Sequence, residues 1–440
     1  MDISYDLAIK NGRVYTPRGL LSIDIWVREG RIEALGGSHH ADERIDATGM
    51  LVLPGAIDAH VHFRDPGPNY KEDWASGSAS AAAGGVTAVI DQPNTDPRTL
   101  DARAFDMKLD IARHRSVVDF CLNGGPGDIE SLAACGAAAI GEIFSYEHSD
   151  SEMEAILQDT SRAGLPACLH AEDGQIIREC SAPLQDRHEP EVYSQARPAW
   201  AEAVAIEKAL SCADCRMGRL HICHLSSAQG LERVLQAKRE GRLVTCEVAP
   251  HHLLFTARDY REQGSFLKMN PPLRSQADCD ALWQALRGGG VGIDILASDH
   301  APHLPEEKRE DIWQAPPGIP GVETMLPLML MAVRKNMLSL ERLVDAAASR
   351  PAEIFRLSGK GSIEPGKDAD LVIVDSKAVS RIDAEKLHSR AEWTAYQGMQ
   401  AIFPKMTILR GEVIYDGEIQ GRPGFGRFMR PAVRAGQKAL

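Results

Sequence analysis

No stretch of the 440-residue chain approaches the roughly 18–20 consecutive apolar residues that a membrane-spanning helix needs. The opening residues, Met1-Asp-Ile-Ser-Tyr-Asp6, are acidic and lack the apolar core of a secretory signal. Positive charge is scarce: 49 Lys and Arg against 62 Asp and Glu give a net charge of −13, which argues against a nucleic-acid partner. An anionic substrate stays open, because it needs only a local positive pocket. Tandem repeats and low-complexity tracts are missing. The nine cysteines are scattered and odd in number, which suits a reducing compartment better than a disulfide framework. Cys212-Ala-Asp-Cys215 has no second pair at zinc-finger spacing and reads as incidental. These absences lead to the expectation of a soluble, cytoplasmic protein with no membrane and no nucleic acid as partner.

What is present divides the chain in two ways. Residues 1–54 alternate apolar and polar positions, with turn signals at Asn11-Gly12, Glu29-Gly30 and Gly36-Gly37. Leu7–Tyr15 and Asp24–Ile32 each read as a strand and hairpin of a small antiparallel sheet. Ala369–Asp375 and Met406–Tyr415 have the same character. The expected small domain is therefore a β-sandwich built from both termini, residues 1–54 and 362–440, with two separate hairpins as the alternative. Gly421–Leu440 carries five basic residues and no acid, and reads as an extended arm, packed or solvated. Residues 55–361 alternate short apolar strands with helical stretches such as Trp200–Leu210, Ser227–Arg239 and Val322–Arg334. That alternation over about 300 residues predicts a (β/α)8 barrel of α/β class. A doubly wound open sheet is the other choice, weakened because no Gly-x-Gly-x-x-Gly follows the first strand.

In a barrel the chemistry sits where strands stop and βα loops begin. The apolar run Met50–Ile57 leads into Asp58-Ala-His-Val-His-Phe-Arg-Asp-Pro-Gly67. His60 and His62 are two apart, so a strand turns both to one side, and Arg64 continues the parity. Two hydrogen-bonded core histidines would explain that pair alone. However, His170, His224 and Asp299 end three further strands. Imidazole and carboxylate are ordinary ligands for zinc and other divalent ions. A second ion needs a bridging anion. Glu142, at the end of Ala138–Phe144, is the candidate, with Glu147 in reserve. His221 falls three residues before His224 and reads as packing. His251 and His252 follow Glu247-Val-Ala-Pro250; neither reads as a ligand, and one could line the pocket. The proline-rich connection 301–320 could be a lid or a static surface loop.

At these residues the sequence resembles the amidohydrolase superfamily, and within it the dihydroorotases. The matching segments are His60–Gly67, Lys71-Glu72, Ala82–Thr87, Gln92–Pro97, Cys246–Leu253, Met269–Arg274, Ser298–His303, Pro317–Thr324 and Gly361–Leu371. The resemblance implies a barrel with a β-sandwich and a centre of one or two divalent ions, zinc first among them. It implies His60, His62 and Asp299 on the first ion, His170 and His224 on the second, and Glu142 between them. Arg64, Asn94 and His303 match residues that grip a substrate carboxylate, while Asn270 and Gly318 match positions that contact the ring. Many relatives bridge the ions with a carboxylated lysine, and others use an aspartate. The glutamate side chain is several ångströms shorter than that carbamate, at about 1.5 Å per bond. Either the backbone approaches the ions, or the second ion is weak or absent.

The implied activity is hydrolysis of a cyclic amide carrying a carboxylate, dihydroorotate to or from N-carbamoyl-aspartate, by a homodimer or higher homo-oligomer. Asp299 would serve as proton shuttle. Relatives that open hydantoins or allantoin generally lack the arginine of His-x-His-x-Arg, which favours dihydroorotase. A hydantoinase- or allantoinase-like ring opener is the alternative. A catalytically silent scaffold, supporting a partner such as aspartate carbamoyltransferase, is the third reading.

Overall fold

A computed structural model describes residues 4–212, 218–288 and 291–432. Cys215 of the Cys-x-x-Cys pair, and Arg434 and Lys438 of the arm, lie outside these residues.

Eight parallel strands form the central layer. They are β1 (Ala56–Val61), β2 (Val86–Asp91), β3 (Asp119–Leu122), β4 (Ile140–Phe144), β5 (Pro166–His170), β6 (Arg219–Ile222), β7 (Val244–Val248) and β8 (Ile295–Leu296). β1 to β3 pair in order, and so do β4 to β8. Parallel bridges Gly124–Ile140 and Val61–His300 join the two runs and close the ring. Each strand is followed by at least one helix, from Trp74–Ala83 after β1 to Val322–Arg334 after β8. This is the (β/α)8 barrel that the alternation predicts. β1 and β2 are buried at every position, as strands covered on both faces must be. Asp73, Ser227 and Ser275 cap the helices that follow three of these strands, each accepting a backbone N–H of the first turn.

Strands from both ends of the chain share one six-stranded sheet, in which Leu371–Val374 lies between Met406–Leu409 and Leu51–Pro54. A four-stranded sheet from the N-terminal part, with Ser4–Lys10 beside Ile25–Arg28, faces it across Leu7, Ile9, Val14, Ile25, Val52, Leu371 and Ile408. Two sequence expectations change here. Ser4–Lys10 and Arg13–Thr16 do not pair as a hairpin but lie in different sheets. Both sheets are also mixed, because Ser4–Lys10 pairs parallel with His40–Asp46 and Arg13–Thr16 parallel with Leu51–Pro54. The Asn11-Gly12 signal marks a crossing between layers. A Cβ on Gly12 would lie 2.8 Å from Val52 Cγ2, so glycine serves close approach there.

The two parts meet around Lys360, whose Nζ lies 2.6 Å from Asp119 and Asp370 and 3.0 Å from Asp368. The arm runs along β3 as far as it is described. Arg427 N donates to Asp119 Oδ1 at 2.8 Å, and the Phe428 ring packs 6.0 Å from those of Phe105 and Phe120. None of the helices among the described residues is long and apolar enough to cross a membrane.

Candidate metal centre and active site

The rim at the C-terminal ends of the strands collects the histidines. The register of β1 slips between Asp58 and Val61. At the slip and just past it, His60 and His62 stand with ring centroids 5.1 Å apart, and His224 lies 5.2 Å from His60. His170 is 4.7 Å from His224. All four are buried. Asp299 follows β8 with a positive φ of 49°. Its Oδ1 is 3.3 Å from His62 Nε2 and 3.7 Å from His60 Nε2.

Glu142 lies between the two histidine pairs. Its Oε2 is 3.8 Å from His60 Nε2 and from His62 Nε2, and its Oε1 is 2.9 Å from His170 Nδ1 and 2.8 Å from His224 Nε2. Its short side chain reaches both pairs from a backbone that lies close against β5. Register shifts in β4 between Ile140 and Ile143, and Gly141 lies at φ 152°. A Cβ on Gly141 would stand 2.5 Å from both the carbonyl oxygen and the Cβ of Cys168, so only glycine lets β4 press against β5 there. Glu147 is elsewhere, paired with Arg98 at 3.0 Å.

Hydrogen bonds behind the rings settle which nitrogen faces the centre. His60 Nδ1 donates to Glu247 Oε1 at 2.5 Å, and His62 Nδ1 donates to Asn94 Oδ1 at 2.7 Å. His170 Nε2 donates to Glu172 Oε2 at 2.9 Å. The opposite nitrogens, His60 Nε2, His62 Nε2 and His170 Nδ1, are thereby aimed inward. Such outer partners are what orient metal-binding imidazoles. His60 Nε2 is buried without a hydrogen-bond partner. A four-coordinate ion at 2.0–2.1 Å spaces its ligand atoms about 3.3–3.4 Å apart. The 3.3–3.8 Å separations among His60, His62, Glu142 and Asp299 therefore fit a divalent ion. Glu142, His170 and His224 form a tighter trio at 2.8–3.2 Å, which must open slightly to accept one.

The charge balance agrees with that fit. Burial pushes the Glu142 carboxyl up, yet hydrogen bonds from His170 and His224, with His60 nearby, hold it well below the usual carboxylate range. Burial pushes His170 down, but Glu142 and Glu172 raise it to about 9. Burial also opposes the charge on Asp299, which His62, His60 and His224 nevertheless keep below its ordinary value. Buried carboxylates and imidazoles that compete for protons in this way are an ordinary donor set for zinc-like cations.

The anion-recognition candidates sit on the same rim. Arg64, at φ 59°, pairs with no carboxylate among the described residues, and its Nε is buried without a partner. The nearby acids are taken: Asp65 binds Arg115 at 3.1 Å, and Asp73 binds Arg390 at 2.8 Å. Arg64 Nη2 instead faces His303 Nε2 at 3.2 Å. Asn94, having accepted from His62, keeps its Nδ2 as a donor. Asn270 Oδ1 accepts from Tyr193 at 2.6 Å. The Gly318 backbone is engaged within the protein, its N–H on Lys268 O at 2.9 Å and its carbonyl on Lys308 Nζ at 3.0 Å.

Residues 51–414 match the sequence profile of the Amidohydrolase family. The chain belongs to that family. Among amidohydrolase relatives, a dihydroorotase from Methanosarcina acetivorans is 44% identical, covering 96% of this chain and 95% of the relative. An allantoinase from Rubrobacter xylanophilus is 38% identical, covering 99% of this chain and 100% of the relative. The solved L-hydantoinase (dihydropyrimidinase) from Arthrobacter aurescens superposes with a TM-score of 0.92 at 34% identity, over 97% of this chain and 100% of that one.

Several residues of this amidohydrolase centre escaped the sequence reading. Glu247 orients His60 and also binds His221 Nε2 at 3.0 Å, so His221 belongs to the network rather than to simple packing. Glu172 is gripped by Arg197, whose Nε lies 3.1 Å from Oε2. His251 is buried with both ring nitrogens unpartnered, and burial lowers it to about 4. Glu247 ends β7 as the histidines end theirs, which is the one signal that could have singled it out.

Proposed function

We propose that this amidohydrolase hydrolyses a cyclic amide that carries a carboxylate, interconverting dihydroorotate and N-carbamoyl-aspartate. The observation that carries this reading is Arg64: a rim guanidinium, partly buried beside the metal centre, with no carboxylate partner among the described residues. A guanidinium matches a carboxylate in two-pronged fashion, and leaving one unpaired in a partly desolvated site is costly. A neutral ureide would leave that charge unmet.

The residues that would hold ions are His60, His62 and Asp299 on one side and His170 and His224 on the other, with Glu142 between. When bound, such an ion lowers the pKa of a water and polarises the ring carbonyl. Zinc is the ion we favour, because nitrogen and carboxylate donors suit it. Arg64, His303 and the Asn94 amide would fix the substrate carboxylate and so the position of the ring. Asp299, facing the His60–His62 pair, would take the proton released as the new C–O bond forms. It would return that proton to the ring nitrogen as the C–N bond breaks, so no net proton is left on the protein.

A second reading, opening of hydantoin or allantoin, is supported by the allantoinase relative and the hydantoinase superposition. Turnover of dihydroorotate by purified protein with added zinc or manganese, beside hydantoin and allantoin, separates the two. Dihydroorotate as the best substrate supports the first; turnover of the uncharged rings alone rejects it. No turnover of any of them would favour a silent scaffold.

A further inference from the structure

We infer that Lys71 is a positioning residue that sets the tautomer of His303 and thereby makes that ring a donor toward the substrate anion. The inference rests on the proposed carboxylate substrate only in its last clause; the tautomer stands on hydrogen-bond geometry alone.

Three groups surround the His303 ring. Lys71 Nζ lies 3.0 Å from Nδ1. Pro317 O lies 3.0 Å from Nε2, and Arg64 Nη2 lies 3.2 Å from Nε2. An ammonium and a guanidinium can only donate, and a carbonyl can only accept. With the proton on Nε2, Lys71 donates to Nδ1 and Nε2–H donates to Pro317 O, leaving one mismatch, Arg64 facing an N–H. With the proton on Nδ1, only the Arg64 contact is satisfied. Lys71 then faces an N–H, and the carbonyl faces a lone pair. Two contacts against one favours Nε2–H. Without Lys71 the score is one against one, so Lys71 decides.

Glu307 is the carboxylate nearest the ring. Its Oε2 is 3.8 Å from Nδ1, too far for a hydrogen bond, and accepts from Leu304 N at 2.9 Å. Its Oε1 is 2.7 Å from Lys71 Nζ, which holds the ammonium in place. A doubly protonated ring is disfavoured by burial and by the neighbouring Arg64, Lys71 and Lys308, which push His303 far below the usual imidazole range. The remaining mismatch is the functional feature. Arg64 Nη2 and His303 Nε2–H stand side by side, so an anionic oxygen between them would accept from Arg64 and share the Nε2–H with Pro317 O.

Two readouts test this. Long-range 1H–15N spectra of histidine-labelled holoenzyme, with the signal assigned by His303→Asn, report the tautomer directly. The expected result is Nε2–H in the wild type and a shift toward a mixture in Lys71→Met. Kinetically, Lys71→Met should raise KM for dihydroorotate about tenfold with a much smaller change in kcat. Lys71→Arg, which keeps a donor, should restore most of the loss, and hydantoin turnover should change far less. Nδ1–H in the wild type overturns the inference even if no Lys71 variant folds. An unchanged tautomer and KM in Lys71→Met overturn it too. If the wild type opens no dihydroorotate, the substrate reading fails and the spectra alone decide the role of Lys71.

Discussion

Glu247 Oε1 accepts a 2.5 Å hydrogen bond from His60 Nδ1, joining β7 to the end of β1 across the barrel mouth. Burial opposes the charge on this glutamate, but His60 and His221 hold it well below the ordinary carboxylate range. It therefore fixes the ring so that Nε2 faces the candidate ion site.

The first consequence concerns affinity. Glu247→Gln keeps one acceptor but turns the other end into a donor against His221 or His60. Loss of such an outer partner weakens metal binding about 10- to 100-fold. Competition with a chelator should read that loss, whereas unchanged affinity would remove Glu247 from the centre.

Glu142 makes a stoichiometric prediction. If it is the shared ligand, Glu142→Gln should bind fewer ions per subunit than the wild type, two falling to one. Elemental analysis after dialysis gives the count. An unaffected count rejects bridging.

Gly141 tests why so short a side chain reaches both histidine pairs. Its φ of 152° lies in the region that only glycine adopts easily, and a Cβ would stand 2.5 Å from the Cys168 carbonyl oxygen. Gly141→Ala should cost about 2–6 kcal/mol in denaturant unfolding, the sum of overpacking and backbone strain. It should also weaken the second ion by moving Glu142. Wild-type stability and ion content would contradict the close-approach argument.

His170 gives a pH dependence. Its pKa in the metal-free fold is raised from 6.5 to about 9, against the effect of burial, by Glu142 and Glu172. The charged ring thus stabilises the metal-free protein fully below about pH 6.5, and the contribution is lost as pH rises through 9. Ion binding must displace that proton, so affinity should climb between pH 7 and 9. Calorimetry in buffers of differing ionisation heat should show proton release near pH 7. Binding without proton release would place His170 outside the ligand set.

The sequence made the histidines legible because a barrel demands functional side chains at strand ends and period two puts His60 and His62 on one side. The structure does gather His60, His62, His170, His224 and Asp299 at one rim. Glu142 was visible only as an acid at the right place; its reach depends on Gly141 against Cys168, a contact between neighbouring strands. Glu247 and Lys71 act on rings 187 and 232 residues away, which no local pattern encodes. The Asn11-Gly12 hairpin was misread because the same two residues serve a tight turn and a close crossing of layers equally well.

Arg64 carries the claim that this amidohydrolase reads a carboxylate, and the substrate selectivity of Arg64→Met tests it most directly. Losing a hydrogen bond between charged groups costs about 3 kcal/mol, or roughly a hundredfold. The expected result is that kcat/KM for dihydroorotate falls by about that factor, mostly through KM, while the value for hydantoin barely moves. An equal fall for both substrates would contradict the account.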